Sequence, residues 1–143
     1  MSKFNYKKQS KVEESSTLFT YTVKDEIITI DYPIFCFRFL NKKFNLTKLD
    51  KNQKNLFLKQ IVALSTAGFD NINIAPRHGM GFEKIPIKIL KFTPPGFITQ
   101  DVKEVYSFRY AGKKPFIVFR KPSTPIFHVL GIDPNFSIYP HGK

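Results

Sequence analysis

The acid–base and cationic side chains of this 143-residue chain gather in two stretches. The first is Pro76-Arg77-His78-Gly79-Met80-Gly81-Phe82-Glu83. Gly79 and Gly81 allow close backbone approach to a ligand. Arg77 offers the paired donors that suit a phosphate, and His78 exchanges protons near neutral pH. Glu83 can act as a base or orient one. The same loop also reads as a Gly-rich turn in which Arg77 simply pairs with Glu83. The second stretch is C-terminal, where Arg109, Arg120 and Lys121 stand at the ends of apolar runs and Tyr139 and His141 follow. Arg109 and Arg120 bracket an expected hairpin with Lys113 and Lys114 in its turn. Phe108, Tyr110, Phe116 and Phe119 interleave with these cations. Half of such aromatics must face a core, which leaves Tyr110 as the candidate for stacking on an unpaired base.

The bulk composition points the same way. With 23 Lys and Arg against 11 Asp and Glu, the formal charge is +12, which attracts polyanions. Lys51 and Lys54 extend that basic character to the expected helix, where a solvated face is the plainer reading. No Walker loop, dinucleotide fingerprint or zinc-ligand spacing is present, so neither a metal nor a cofactor is expected. Cys36 is the one cysteine, which rules out an internal disulfide and suits the cytoplasm. No apolar run reaches the roughly 20 residues of a membrane span. His128, within Ile126-Phe-His-Val-Leu-Gly-Ile132, reads as a core histidine that shares a side with Ile126, Leu130 and Ile132.

Those side chains need elements to hold them. Residues 1–16 read as a flexible basic arm without a leader's apolar stretch, and residues 17–143 as one domain. Leu18–Lys24 and Ile27–Ile30 alternate like a hairpin around an Asp25-Glu26 turn, and Ile34–Leu40 reads as a third strand. Asp50 and Gln53 form a capping-box signature ahead of a helical stripe through Leu49, Leu56, Phe57, Gln60, Ile61 and Leu64. Gly68 is the expected helix stop, with a short strand over 71–74. Lys84–Leu90 alternates like an edge strand, the place Pro86 permits. Three C-terminal strands complete an α+β fold: a mainly antiparallel twisted sheet packed against one principal helix region.

From Ile34 onward, the order of strand, helix region and antiparallel meander resembles the RelE/ParE toxin superfamily. The closest stretch is Val105-Tyr-Ser-Phe-Arg109-Tyr-Ala-Gly112-Lys-Lys-Pro-Phe-Ile-Val-Phe119. It is similar to the family's pattern of aromatic-x-aromatic-Arg, Gly turn and apolar strand. Lys113-Lys114-Pro115 stand where the family often has Arg, and the tail reads Tyr-Pro-His where the family has His-Tyr. The resemblance implies a RelE-like fold and a metal-independent endoribonuclease toxin cleaving mRNA at the ribosome. It implies charge stabilisation by Arg109 and Arg120 with Lys114 assisting, and acid–base work by His141 with Tyr139 supporting. Glu83 and His78 form a reserve pair if their loop folds over the groove. Arg77, Lys113, Lys114, Lys121, Tyr110, Lys51 and Lys54 would hold RNA. Its partners would be RNA or the ribosome, and an acidic antitoxin or host protein. The alternative is a non-enzymatic basic phage or mobile-element protein that binds nucleic acid or an acidic host protein.

Overall fold

A computed structural model describes residues 5–6 and 17–140. Asn5–Tyr6 of the expected arm form a short strand, β1, against β2; the rest of that arm lies outside the described residues. β2 (Phe19–Val23) and β3 (Glu26–Ile30) make the expected hairpin, with its turn one residue earlier than the sequence suggests. Lys24 and Asp25 both take positive φ, 49° and 64°, the geometry of a two-residue type I′ turn. Side-chain alternation explains this register. Phe19 pairs with Ile30, and both are buried together with Tyr21. A one-residue slip would turn this set to the opposite face.

Asp50 caps helix α1 (Lys51–Ile74), and the capping box is complete. The Asp50 carboxylate accepts from the Gln53 N–H at 2.7 Å, and the Gln53 amide oxygen accepts from the Asp50 N–H at 3.0 Å. Gly68 interrupts the helix, as expected, at φ 81° and ψ 164°. The following N–H, of Phe69, is thereby redirected to the Asp31 carbonyl at 2.9 Å. The strand expected over 71–74 is instead a resumed helix. Phe69 and Ile72, three residues apart, are both buried, whereas Ile74 is 82% exposed. That spacing suits a helix and not a strand, in which Ile72 and Ile74 would share a face.

The main sheet has the order β4-β8-β7-β6-β5. β4 (Ile34–Cys36) runs parallel to β8 (Ile126–Ile132), so the sheet is mixed. β7 (Lys114–Phe119), β6 (Glu104–Ala111) and β5 (Phe82–Pro86) are antiparallel neighbours. β4 is shorter than the expected Ile34–Leu40 strand because a turn closes from the Leu40 N–H to the Phe37 carbonyl. β5 begins and ends earlier than Lys84–Leu90 and is the expected edge strand, with Pro86 its last residue and a 3-10 turn over Ile87–Ile89.

Both faces of this sheet are covered. One packs Phe108, Phe116, Val118 and Phe127 against Phe57, Leu64 and Phe69 of α1. Phe57 meets Phe116 edge-on at 5.2 Å between centroids, the preferred geometry for aromatic pairs. The other face buries Val105, Ile117, Phe119 and Leu130 beneath Phe44 and Ile138, with the irregular 87–102 segment packed alongside. A bulge in β8 lets it serve both sides: Ile117 pairs with Gly131 but Val118 pairs with Val129, leaving Leu130 as the extra residue.

Gly68→Ala tests the kink. Positive φ with ψ near 160° is a region essentially reserved for glycine, and an added Cβ would sit 3.2 Å from the Asp31 carbonyl. The expected loss is about 1–3 kcal/mol in urea unfolding, with the far-ultraviolet helical signal retained.

Candidate functional site

The pairing of β5 with β6 sets the site. Glu83 lies opposite Ser107, and alternation places Arg109 two residues on along the same face, away from α1. Glu83 Oε1 accepts from Arg109 Nη2 at 3.1 Å, and Oε2 accepts from Arg77 Nη1 at 3.1 Å. The Tyr139 hydroxyl lies 3.4 Å from Glu83 Oε1, 3.0 Å from Ser107 Oγ and 3.4 Å from Arg109 Nη1. Exposure rises outward: Ser107 and Tyr139 are buried, and the side chains of Arg109, Glu83 and Arg77 are 11%, 26% and 57% exposed. A carboxylate held by two guanidinium groups leaves a local net charge of +1, with the solvent-facing cation uppermost. Arg109 Nε is buried and has no hydrogen-bond partner among the described residues.

The loop before β5 delivers Arg77 and His78. The N–H groups of Gly79 and Gly81 both donate to the Pro76 carbonyl at 2.9 Å, and Gln60 of α1 donates to the Gly79 carbonyl at 3.0 Å. Gly81 is required here, because a Cβ would lie 2.2 Å from the Ala75 carbonyl oxygen. Arg77 Nε donates to His78 Nε2 at 3.4 Å.

Tyr139 is placed by Asp133, which is fully buried. Asp133 Oδ1 accepts from the N–H groups of Asn135 and Ser137 at 3.2 and 2.9 Å, and from Ser137 Oγ at 3.3 Å. Asp133 Oδ2 accepts from the Ile138 N–H at 2.8 Å. The tail therefore folds back over the sheet, where the Ile138 carbonyl takes the Lys91 N–H and Tyr139 turns inward.

The reserve pair Glu83 and His78 thus comes together with Arg109, Tyr139 and Arg77. Arg120 does not join them. It is 5% exposed and lies on the helix side, its guanidinium 4.9 Å from the Phe69 ring centre and 5.5 Å from that of Phe19. Arg109 and Arg120 occupy opposite faces because β6 and β7 alternate and the two residues fall on different beats. Tyr110 is also corrected: it is buried against Phe57 and Phe116 and cannot stack on a base. Burial pushes its hydroxyl pKa well above the ordinary value, with Asp133 and Asp50 adding to the shift.

Lys113 and Lys114 stand at the β6–β7 turn, and Lys51 and Lys54 are exposed on the first turn of α1. Lys121 is exposed just beyond β7. His141 lies outside the described residues. His128 shares the tail-side face with Leu130 but not with Ile132, which the bulge turns toward α1. Its ring packs against Phe97, Phe39 and Phe119, and burial followed by the nearby Lys121 lowers its pKa. The sequence reading missed Ser107 and Asp133. Ser107 was legible as the polar beat two before Arg109, and Asp133 as the head of an Asp-Pro-Asn-Phe-Ser turn.

Comparison with protein-family profiles, curated sequences and solved structures returns no match. Among the described residues, no group of three or more His, Cys, Asp or Glu is arranged to hold a metal ion, and no helix is long and apolar enough to cross a membrane.

Asp133→Ala removes the acceptor for three backbone N–H groups. It should cost about 3 kcal/mol or more in urea unfolding, and speed hydrogen exchange at Ser137 and Ile138 before other amides. His128 gives a pH test. Its folded pKa lies below the unfolded value of 6.5, so the unfolded chain binds the proton first as pH falls. Stability should therefore drop as pH passes below about 6.5 and level off below the folded pKa. His128→Phe should flatten that part of a urea-midpoint profile.

Proposed function

We propose that this chain is a metal-independent endoribonuclease of the RelE kind. The observation that carries the reading is the convergence of Glu83, Arg109 and Tyr139 on one sheet face, with Arg77 and His78 at its open rim. The order of elements from Ile34 onward also agrees with the resemblance. The +12 charge supplies attraction to RNA.

In this reading the ion-paired network is a resting state. An incoming phosphate competes with Glu83 for Arg77 and Arg109 and draws both guanidinium groups onto its oxygens. The released Glu83 carboxylate takes the proton of the neighbouring ribose 2′-hydroxyl. The 2′-oxygen then attacks phosphorus, and the bond to the 5′-oxygen breaks. Arg109 and Arg77 stabilise the charge on the phosphoryl oxygens, and His78 hands a proton to the leaving oxygen. Tyr139 and Ser107 hold Arg109 in place from below. The products are a 2′,3′-cyclic phosphate and a 5′-hydroxyl end.

A second reading has its own support. Every oxygen of Glu83 is already engaged, as expected of a brace between β5, β6 and the tail. The chain would then act as a basic binding module through its exposed lysines.

The deciding experiment incubates the protein with translating ribosomes, and separately with bare mRNA, and maps new 5′-hydroxyl ends. Under the nuclease reading, Glu83→Gln and Arg109→Lys each reduce cleavage by about a hundredfold or more, with folding retained. His78→Ala reduces it less and raises its pH optimum or abolishes the pH dependence. No ends above background in either reaction would remove the nuclease reading. Binding that falls steeply with salt and evenly across Lys51→Ala, Lys54→Ala and Lys113→Ala would establish the binding module.

A further inference from the structure

The outer face of α1 carries a side-chain pattern that the core does not explain. Leu58 and Val62 are each 60% exposed and lie four residues apart, on successive turns of one face. The buried residues Phe57 and Leu64 point away from them, into the core. Gln60, two residues from each, points the opposite way, where it donates to the Gly79 carbonyl at 3.0 Å. A solvated helix position is better served by Lys, Glu or Ala than by β-branched valine. Together with Asn55 and Lys59, the two apolar side chains line a shallow hollow of about 350 Å³.

Charge surrounds this apolar centre. Lys51 lies on the line of the stripe, seven residues before Leu58, and Lys54 and Lys59 flank it on either side. All three lysines are exposed, and among the described residues no carboxylate forms a salt bridge with any of them. No acid occurs between Lys51 and Phe69. A nucleic-acid backbone would match the lysines but would set phosphates over Leu58 and Val62. A second copy would cover the apolar pair but bring the three lysines against their own counterparts, in molecules that each carry +12. A helix with one apolar stripe and Asp or Glu on both flanks answers both features. Lysine stems extend the apolar contact while their ammonium groups reach the carboxylates.

We propose that the outer face of α1 is the docking surface for an acidic amphipathic helix of another protein. Because α1 covers one sheet face and the Glu83 network lies on the other, the docked partner leaves that network open. The partner is a tether and not an inhibitor, and the surface stands whether or not Glu83 cleaves RNA. With two apolar anchors the contact belongs to the small, transient class, below about 1,200 Å² of buried surface.

The test titrates the ¹⁵N-labelled full chain with a synthetic peptide of about five helical turns, with leucines along one stripe and glutamates on both flanks. One control peptide has lysine in place of glutamate, and the other has serine in place of leucine. The first peptide should shift the amides of 51–66 saturably, with a Kd on the order of 100 µM or tighter, and leave those of Ser107 and Arg109 unmoved. Each control should bind about tenfold more weakly or not at all. Leu58→Ser with Val62→Ser should weaken the first peptide about tenfold while the urea midpoint holds, because both positions are exposed. Lys54→Glu with Lys59→Glu should weaken it as much and remove most of its salt dependence. Equal binding by either control would overturn the proposal, as would no saturation at millimolar peptide. Shifts centred on Ser107 and Arg109 would overturn the tether. A dimer in sedimentation equilibrium that the serine changes dissolve would give the face to a second copy instead. A single-stranded oligonucleotide that shifts the amides of 51–66 as strongly as the peptide, and ignores the serine changes, would give it to nucleic acid.

Discussion

A single buried carboxylate organises the end of this molecule. Asp133 has no exposed surface, and its two oxygens gather the N–H groups of Asn135, Ser137 and Ile138. A carboxyl group in such a position is tolerable only because those donors replace the lost water. What it fixes extends beyond its own turn. Ile138 becomes part of the core on the sheet face away from α1, and Tyr139 is carried to the Ser107 and Arg109 side chains. Without this turn, Glu83 and Arg109 would meet on an open sheet surface, where an ion pair contributes little.

The two sheet faces divide the labour. The helix face is nearly all aromatic and aliphatic at its centre, and Arg120 is accommodated there by lying over phenylalanine rings. The tail face holds an equally apolar centre but admits Ser107 and Arg109 of β6, which meet Glu83 and Tyr139. β6, which carries Ser107 and Arg109, is rigid because it is paired on both sides. Side chains on such strands are held more firmly than side chains on loops.

Local signals were legible where local chemistry decides. The capping box at Asp50 and Gln53, the break at Gly68 and the edge placement of Pro86 are short-range matters, and the residues show them directly. The 71–74 stretch misled because Asn71-Ile-Asn-Ile74 alternates. Only the docking of Phe69 and Ile72 beneath β2 and β8 selects the helix. Arg109 and Arg120 looked like partners across one hairpin, since the sequence displays spacing but not the beat on which each strand ends. Tyr110 was misplaced for the same reason: choosing its face requires knowing which side α1 covers. Glu83, His78 and Arg77 were named from their loop, but their meeting with Tyr139 depends on a tail whose return is specified by Asp133.

The parallel pairing of β4 with β8 gives the chain a particular history. Ile34 is synthesised early, yet its strand neighbour Ile126 appears only after α1, β5, β6 and β7. Long-range pairings of this kind are slow to form. A nascent chain can therefore raise its helix and central hairpin while one sheet edge stays open and Tyr139 is still missing from the Glu83 network. Assembly of that network is therefore a late event of biogenesis, because its last member, Tyr139, is among the last residues made.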